Sequence, residues 1–306
     1  MTKNIKYFLG AFFLTSFLFS GINSLQREME KYFYAQITQP FHDLVVVDIS
    51  ARPKKQKPDI NAEAVISLKL YKTEKTRLVV RKNIDKTLPI ASLSKLMTAL
   101  VVIENTHLSD YDLSKTTIVS QKAASQYNIP VHGNLEAGQV IAIEQLLKYM
   151  LYYSSNDAAF ALAEVIGLDN FIAKMNQKSK ELGLNNTYFI NPTGLDPSDI
   201  DAVPNYSTVN DLAKLSKYIL SNHGLIFEFS LENGPYLSEN GVLGINVLNN
   251  QIIIGGKTGY TEKAGGCMMV VFSDKNRNYS INILLGAESP DTRIEEMQKL
   301  INWINS

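Results

Sequence analysis

Residues 89–104 read Pro-Ile-Ala-Ser-Leu-Ser-Lys-Leu-Met-Thr-Ala-Leu-Val-Val-Ile-Glu. From Leu96 to Ile103 this stretch is apolar on every side, which is typical of a helix buried in a core and not of a surface amphipathic helix. Pro89 ends the preceding element, and Ser92 suits a helix start. The stretch therefore predicts a central helix over residues 92–104, around which the other elements pack.

A lysine lies inside this apolar stretch. Burial of the Lys95 ammonium costs several kcal/mol unless a partner uses it. Ser92 precedes it by nearly one helical turn, so the two side chains share a face. A serine hydroxyl needs an adjacent base to act as a nucleophile, and a lysine in an apolar pocket loses basicity and can be that base. The alternative is that Ser92 only caps the helix while Lys95 extends to solvent.

Composition excludes several classes of function. The chain has 306 residues, enough for a large core, with 30 basic and 30 acidic residues. This balance shows no nucleic-acid footprint. The single cysteine, Cys267, excludes an internal disulfide framework, and its strand-like surroundings predict a buried, inert thiol. The four histidines (His42, His107, His132 and His223) lack metal-ligand spacing, so we expect neither a metal nor a cofactor.

The N-terminus has the features of a membrane anchor. Lys3 and Lys6 precede a charge-free run over residues 7–26, most apolar over residues 7–22. This run is longer than a usual signal core and slightly short for a spanning helix. It contains no pair of small residues two apart and no lipobox cysteine. We expect an uncleaved anchor over residues 1–26, with the remaining chain outside the cell membrane; a cleaved signal peptide and a secreted protein are the alternative.

A polar connection follows over residues 27–61. Residues 27–39 suit a helical stalk, residues 41–49 could form a strand, and residues 51–58 are a basic stretch bracketed by prolines. We interpret that stretch as a solvated hinge, with contact to acidic surface polymers or lipid headgroups as the alternative. The folded domain is predicted over residues 62–306.

Strand patterns occur at both ends of this domain. Residues 64–71 and 77–80 suit a hairpin, and residues 267–273 and 279–286 suit a second one. Helical spacing of apolar residues occurs over residues 143–150, 157–166, 170–182, 211–220 and 293–304. The sequence therefore predicts an α+β fold, in which one antiparallel sheet built from both ends carries packed helices.

Two further motifs bear on function. Lys257, Thr258 and Gly259 follow the apolar run of residues 251–256. At a strand edge, such a lysine and threonine offer a charge and a hydroxyl to an anion, and the glycine lets a substrate backbone approach. Ser-x-Asn occurs at residues 154–156, 238–240 and 280–282. Only the first lies mid-chain at a junction between helices, where Ser154 can pass a proton and Asn156 can hold a peptide amide.

Ser-x-x-Lys, Ser-x-Asn and Lys-Thr-Gly in this order resemble the three elements of penicillin-binding proteins and class A β-lactamases. More narrowly, the chain is similar to the D-alanyl-D-alanine carboxypeptidases among the low-molecular-mass penicillin-binding proteins. The similarity covers roughly residues 62–306 and includes residues 191–195, with Ser94 and Ser155 at variable motif positions. Arg293, after Leu285-Gly286-Ala287, resembles an arginine that the family keeps near the substrate carboxylate.

The resemblance implies a β-lactamase/penicillin-binding-protein-like fold and a serine-type carboxypeptidase. Such an enzyme trims terminal D-alanine from peptidoglycan stem peptides and is covalently inhibited by β-lactam antibiotics. Ser92 would be the nucleophile, Lys95 its base and Ser154 the proton donor to the leaving amine. The N–H groups of Ser92 and Tyr260 would form the oxyanion hole. The implied substrate-binding residues are Asn156, Lys257, Thr258, Gly259, Tyr260 and Arg293.

Three alternatives remain at this stage. An endopeptidase that cuts peptidoglycan cross-links would use the same catalytic residues. A β-lactamase needs a carboxylate to activate the deacylating water; Glu181 followed by Asn185 resembles that pattern, but Gly183 predicts that a helix ends there. A non-catalytic penicillin-binding sensor would be expected to lack a catalytic residue, and none is missing.

Overall fold

The structure is a computed structural model that describes residues 57–73, 75–105, 112–126, 134–231 and 251–306. Its strands are β1 (Ala64–Leu70), β2 (Thr76–Lys82), β3 (Leu88–Pro89), β4 (Thr116–Ile118), β5 (Val140–Ala142), β6 (Tyr206–Ser207), β7 (Ile252–Thr261), β8 (Gly265–Ser273) and β9 (Tyr279–Ala287). Its α-helices are α1 (Lys95–Glu104), α2 (Ile143–Tyr152), α3 (Asn156–Glu164), α4 (Leu168–Glu181), α5 (Val209–Asn222), α6 (Leu225–Phe229) and α7 (Pro290–Asn305). The predicted anchor, stalk and strand over residues 1–49 lie outside the described residues.

One five-stranded sheet joins the two ends of the domain. Its strand order is β2-β1-β9-β8-β7, and all neighbouring strands are antiparallel. β1 pairs with β9 from Ala64 opposite Leu285 to Leu70 opposite Tyr279. The predicted α+β fold with a sheet built from both ends is therefore confirmed. β7 lies at one edge of the sheet, and it carries Lys257, Thr258 and Gly259 within the strand.

Both faces of this sheet are covered. Alternate residues of a strand point to opposite faces, and in β8 both sets are apolar and buried. Cys267, Met269 and Val271 belong to the large core that contains α1, whereas Met268 and Val270 pack into a smaller core with α7. This double burial explains why β8 reads as a continuous apolar run instead of an alternating one.

The start of the central helix differs from the prediction. Residues 91–94 form a 3₁₀ turn, and α1 begins only at Lys95. Ser92 lies within this turn and does not cap a helix, because Ile90 and Ser94 occupy the two N-cap positions. The Ser94 hydroxyl donates a hydrogen bond back to the Ala91 carbonyl at 2.8 Å, which stabilises a tight turn in place of the first α-helical turn.

The remaining predicted helices are present, with ends that shift by a few residues. Sequence reasoning missed α6 and the strand pairs β3–β6 and β4–β5. These elements have two to five residues, too few for a recognisable period. None of the helices in the described ranges is long and apolar enough to span a bilayer.

The folded domain includes residues just before β1. Ile60 and Ala62 are buried in the smaller core, against α7. The Asn61 N–H donates to the Glu296 carboxylate at 2.8 Å. The chain entering the domain is thus fixed to its last helix.

Candidate active site

The Lys95 amine is the centre of the site. Its Nζ lies 2.8 Å from Ser92 Oγ. It also donates to Asn156 Oδ1 at 2.7 Å and to the Thr193 carbonyl at 2.6 Å. Lys95 is 0% exposed, so the alternative that it extends to solvent is wrong. Three separate segments therefore converge on one buried amine.

This environment changes the acid–base properties of Lys95. Burial, and secondly the positive charge of Lys257, lower its pKa well below the ordinary value of 10.5. Both causes disfavour the charged form. A neutral amine next to a serine hydroxyl can accept the hydroxyl proton, which is the requirement for activating a serine nucleophile.

Ser154 and Lys257 form a second serine–lysine pair. Ser154 lies between α2 and α3 and has a left-handed backbone with φ of 61°. The Lys257 amine donates to Ser154 Oγ at 2.8 Å and to the Thr258 carbonyl at 2.9 Å. A left-handed serine costs about 1–3 kcal/mol and persists only where its surroundings hold it. Ser155 provides part of that hold, because its side chain accepts a hydrogen bond from the Ala158 N–H at the start of α3.

The other Ser-x-Asn tripeptides do not join the site within the described residues. Asn282 is buried in β9, where its Oδ1 accepts a hydrogen bond from Ser67 at 2.8 Å. Residues 238–240 lie outside the described ranges. The tripeptide at the α2–α3 junction is thus the one that the structure brings to Lys95.

Lys257 and Arg293 add positive charge to the same region. Burial, and secondly the charge of Arg293, lower the pKa of Lys257 to about 7. Burial also lowers the pKa of Arg293. In the described part of the chain, no carboxylate forms an ion pair with Lys95, Lys257 or Arg293. Lys257 and Arg293, positively charged groups without a protein anion, favour an anionic ligand at this end of the site.

Arg293 contacts the predicted substrate strand directly. It lies in the first turn of α7, and its Nη1 donates to the Gly259 carbonyl at 2.7 Å. Its Nε is buried and has no hydrogen-bond partner in the described structure. The guanidinium therefore lies against the end of β7 and forms no ion pair with Glu288 or Glu296.

The open edge of β7 presents main-chain donors to the serine turn. The Gly256 N–H donates to Ser230 Oγ and so points away from β8. Because N–H groups alternate along a strand, the Tyr260 N–H points to the same open edge. A Cβ at Gly259 would lie only 2.9 Å from the Ser92 nitrogen. The Ser92 N–H donates to no acceptor among the described residues.

The loop of residues 191–195 completes the pocket. A Cβ added at Gly194, which has φ of 83°, would lie 1.9 Å from the Ala91 carbonyl oxygen. The Asn191 side chain holds the loop by accepting from the Thr193 and Gly194 N–H groups at 3.1 and 2.7 Å. Sequence reasoning matched this segment by resemblance but missed the Thr193 carbonyl, because main-chain acceptors leave no sequence signal.

Glu181 is engaged elsewhere. As the last residue of α4, it pairs with Lys178 at 2.7 Å and accepts a hydrogen bond from Gln177 at 2.8 Å. Gly183, with φ of 64°, follows the helix end as predicted. The carboxylate that the β-lactamase alternative requires is therefore bound to side chains of its own helix.

The described residues contain no group of three or more histidine, cysteine, aspartate or glutamate side chains that could hold a metal. Cys267 is fully buried, as predicted, and burial raises its pKa to about 12, which disfavours the reactive thiolate.

Comparison with known proteins identifies the family. The sequence profile of peptidase S11, described as D-alanyl-D-alanine carboxypeptidase, matches residues 51–289. The chain belongs to this family. The resemblance inferred from the three motifs is thereby confirmed.

Two relatives illustrate the range within the family. The chain is 31% identical over 243 residues to the D-alanyl-D-alanine carboxypeptidase DacF of Bacillus subtilis, which covers 76% of this chain and 60% of that protein. It is 28% identical over 281 residues to a D-alanyl-D-alanine endopeptidase of Escherichia coli, which covers 87% of this chain and 84% of that protein. The chain spans about three fifths of the length of the carboxypeptidases DacF, DacC and DacA.

Solved structures show the same fold. Penicillin-binding protein D2 of Listeria monocytogenes, in a cefotaxime-bound form, is 25% identical with a TM-score of 0.66, over 82% of this chain and 100% of that one. A carboxypeptidase of Francisella tularensis superposes with a TM-score of 0.67 over 86% of this chain at 22% identity. The predicted penicillin-binding-protein-like fold is confirmed.

The low pKa of Lys257 predicts how stability depends on pH. Above pH 7 the folded chain has lost a proton that the unfolded chain retains up to about pH 10.5. The free energy of unfolding should therefore rise with pH in this window, and this contribution should vanish in Lys257→Met. We expect the wild-type slope to exceed the variant slope by up to about 1.4 kcal/mol per pH unit.

Urea denaturation between about pH 7.5 and 9.5 measures this difference. Lys72→Met, in the exposed turn between β1 and β2, is measured in parallel as a control for the loss of a surface charge. Equal slopes for wild type and Lys257→Met would show that Lys257 keeps its proton in the folded protein.

Proposed function

We propose that this chain is a serine-type D-alanyl-D-alanine carboxypeptidase that removes terminal D-alanine from peptidoglycan stem peptides. The observation that carries the proposal is the fully buried Lys95 amine, 2.8 Å from Ser92 Oγ. A buried lysine of lowered pKa beside a hydroxyl is an activated nucleophile pair. Membership of the family supplies the substrate class.

The first step forms an acyl-enzyme. Ser92 Oγ attacks the carbonyl carbon of the D-Ala-D-Ala bond, and the neutral Lys95 amine takes the hydroxyl proton. The negative charge that develops on the carbonyl oxygen is stabilised by the N–H groups of Ser92 and Tyr260. The contacts of Lys95 with Asn156 and Thr193 keep its Nζ on Ser92 throughout.

The second step expels the leaving group. The bond between the carbonyl carbon and the D-alanine nitrogen breaks, and Ser154 passes its proton to that nitrogen. Lys257, hydrogen-bonded to Ser154 at 2.8 Å, replaces the proton. Water then attacks the acyl-enzyme carbonyl and gives one proton through Ser154 to Lys257, which had lost one. The bond from the carbonyl carbon to Ser92 Oγ breaks, Oγ takes back its proton from Lys95, and the shortened peptide leaves as an acid that ionises in water. Asn156 lies next to both serine–lysine pairs and orients the peptide amide.

The cationic end of the site binds the terminal carboxylate. Lys257 and Arg293 supply charge, and the Thr258 hydroxyl, which makes no hydrogen bond within the described residues, supplies a donor. An anion close to Lys257 offsets the effects of burial and of Arg293, so substrate binding raises the pKa of Lys257 from about 7. Gly259 leaves space for the substrate backbone beside β7.

β-Lactams are expected to react at the same serine. The Listeria relative has a cefotaxime-bound form. A β-lactam carries a reactive carbonyl and a carboxylate at a spacing similar to that of acyl-D-Ala-D-Ala. We therefore propose that β-lactams acylate Ser92 and block the site.

Labelling with a fluorescent penicillin tests the nucleophile and its base. Wild type should be labelled covalently at Ser92, and Ser92→Ala should not be labelled. Lys95→Arg should also lose labelling, because a guanidinium does not give up its proton at any working pH. Lys178→Arg is the matched control, because Lys178 is a buried lysine that pairs with Glu104 at the far end of α1.

Gel fluorescence and peptide mapping measure the adduct, and thermal melting checks that each variant is folded. An adduct mapped to another residue would refute the assignment of Ser92. Retained labelling in folded Lys95→Arg would show that another group is the base.

Endopeptidase activity on peptidoglycan cross-links is the second candidate. Relatives named endopeptidases match at 28% and 29% identity, within the range of the relatives named carboxypeptidases, which match at 28–32%. The two activities would use the same serine and lysines. They differ in whether the substrate ends in a free carboxylate.

Arg293→Ala separates these candidates. A charge-assisted contact with the substrate carboxylate contributes roughly 1.5–3 kcal/mol. Its loss should lower kcat/KM on a D-Ala-D-Ala peptide about ten- to a hundredfold and leave an amidated peptide nearly unaffected. Arg81→Ala, at an exposed position of β2, is the matched control. Steady-state kinetics on both peptides measures the effect.

Two outcomes would change the interpretation. Equal losses on the free and the amidated peptide would mean that Arg293 acts only by supporting Gly259. Efficient cleavage of amidated or cross-linked peptides by wild type would favour the endopeptidase.

We further propose that residues 1–26 anchor the protein in the cell membrane, with the catalytic domain outside. The support is the apolar run of residues 7–22 behind two lysines and the lack of a small-residue cleavage pair. N-terminal sequencing of protein from the membrane fraction should begin at residue 1 or 2. A start between about residues 20 and 30, the usual signal-peptide range, would indicate cleavage and secretion.

A further inference from the structure

One stretch of chain, residues 190–205, touches both elements that carry the proposed oxyanion donors. We call it the 190–205 segment. It contacts the turn that carries the Ser92 N–H and the end of β7 that carries the Tyr260 N–H. The contacts at each end are made by buried or paired side chains and not by chance surface approaches.

Asn205 holds the serine turn. It is 1% exposed, and its Nδ2 donates to Ser94 Oγ at 2.9 Å. Ser94 Oγ donates in turn to the Ala91 carbonyl at 2.8 Å, and the Asn205 carbonyl accepts from the Ile90 N–H at 3.2 Å. Ala91 has a left-handed φ of 45°, a conformation that a non-glycine residue keeps only when it is held. Asn205 thus fixes the strained residue directly before Ser92.

Asp196 holds the end of β7. Its Oδ1 accepts from the Thr261 hydroxyl at 2.9 Å, and its Oδ2 accepts from the Lys263 N–H at 3.2 Å. Thr261 is the last residue of β7 and follows Tyr260. The Thr261 hydroxyl also accepts from the Ala264 N–H at 3.2 Å, so the same group closes the turn into β8. Asp196 thereby fixes the peptide next to the Tyr260 N–H.

Further hydrogen bonds tie these two contacts together. Asn205 Nδ2 donates to the Asn191 carbonyl, and Asn205 Oδ1 accepts from the Ile190 N–H, at 2.9 and 2.7 Å. The Lys263 amine donates to the carbonyls of Ile200 and Ala202 at 2.6 and 2.9 Å. Both ends of the segment are therefore held by several hydrogen bonds and not by one contact each.

We propose that the 190–205 segment sets the separation of the two oxyanion donors, with Asp196 and Thr261 as positioning residues on the Tyr260 side. The inference rests on the proposed function, since an oxyanion exists only during acyl transfer. Such donors must lie within about 2.7–3.1 Å of the oxyanion. A small shift of one N–H therefore reduces the stabilisation of the transition state more than it reduces the affinity for the substrate.

A segment that merely stabilised the fold would behave differently. Its loss would lower the melting temperature and the amount of active protein, while each folded molecule reacted normally. Positioning predicts a loss in the reaction of folded molecules, with unchanged initial binding.

Thr261→Val and Thr261→Ser form the test pair in the full-length chain. Valine keeps the shape but removes the hydroxyl that donates to Asp196, whereas serine keeps that hydroxyl. Stopped-flow reaction with a chromogenic cephalosporin gives the acylation rate constant and the dissociation constant of the initial complex. We expect valine to lower the rate constant about ten- to thirtyfold, less than removal of a donor. The dissociation constant should hold within about twofold, and serine should restore the rate.

A tetrahedral adduct provides an independent reading. A peptide boronic acid, with boron in place of the scissile carbonyl carbon, forms a B–O bond to Ser92 Oγ as the hydroxyl proton passes to Lys95. One boron-bound oxygen then occupies the oxyanion position. The affinity of Thr261→Val for the boronic acid should fall by the same factor as the acylation rate constant. The pH profile of acylation should not move, because Lys95 makes no contact with Thr261.

Thr117→Val, in β4 outside the pocket, is the matched control and should react like wild type. Wild-type rates in folded Thr261→Val, or an equal loss in Thr261→Ser, would overturn the inference. If Thr261→Val does not fold, Asp196→Ala replaces it: both carboxylate acceptors are lost, and an unchanged rate in that variant overturns the inference. Absence of acylation in wild type would instead refute the proposed function, before any variant is compared.

Discussion

The burial of one amine is the constraint on which this structure depends. Lys95 is removed from water, and its three contacts come from the 3₁₀ turn, from the start of α3 and from the loop before Asn205. A buried polar group without partners costs several kcal/mol, so these segments must meet for the protein to fold. Charge repulsion from Lys257 adds to the cost of keeping Lys95 protonated. Formation of the core therefore also positions the Lys95 amine next to Ser92.

The main-chain conformation shows where the fold accepts strain. Ala91 directly precedes Ser92, and Ser154 itself carries the hydroxyl bound by Lys257. Both residues have left-handed φ values. Gly194 and Gly259 allow the loop of residues 191–195 and strand β7 to approach the serine turn more closely than any side chain would permit. The sheet and the helices around these residues are regular, and their packing holds the strained residues in place.

Much of this arrangement could be predicted from the sequence, because the ordered motifs place charged and hydroxyl side chains in apolar surroundings. The buried Lys95, the Ser154 junction and the sheet of terminal strands all follow from residue type and pattern. The start of α1 could not be predicted, because the Ser94 hydroxyl donates a hydrogen bond back to the Ala91 carbonyl and tightens the first turn into a 3₁₀ turn. The contacts of Thr193, Asp196 and Asn205 could not be predicted either. They join main-chain groups or residues distant in sequence, and such contacts leave no periodic signal in the sequence.

The pairing of β1 with β9 determines when the pocket can exist. Among the described strands β1 is the first along the chain and β9, the middle strand of the sheet, is the last, so the sheet closes only after almost the whole chain is available. Pairings of such high sequence separation fold slowly. Lys257 and Arg293 arrive on β7 and α7, after Ser92 and Lys95 by more than half the domain. A chain emerging from the ribosome therefore carries Ser92 and Lys95 long before it carries the two cationic side chains that complete their surroundings.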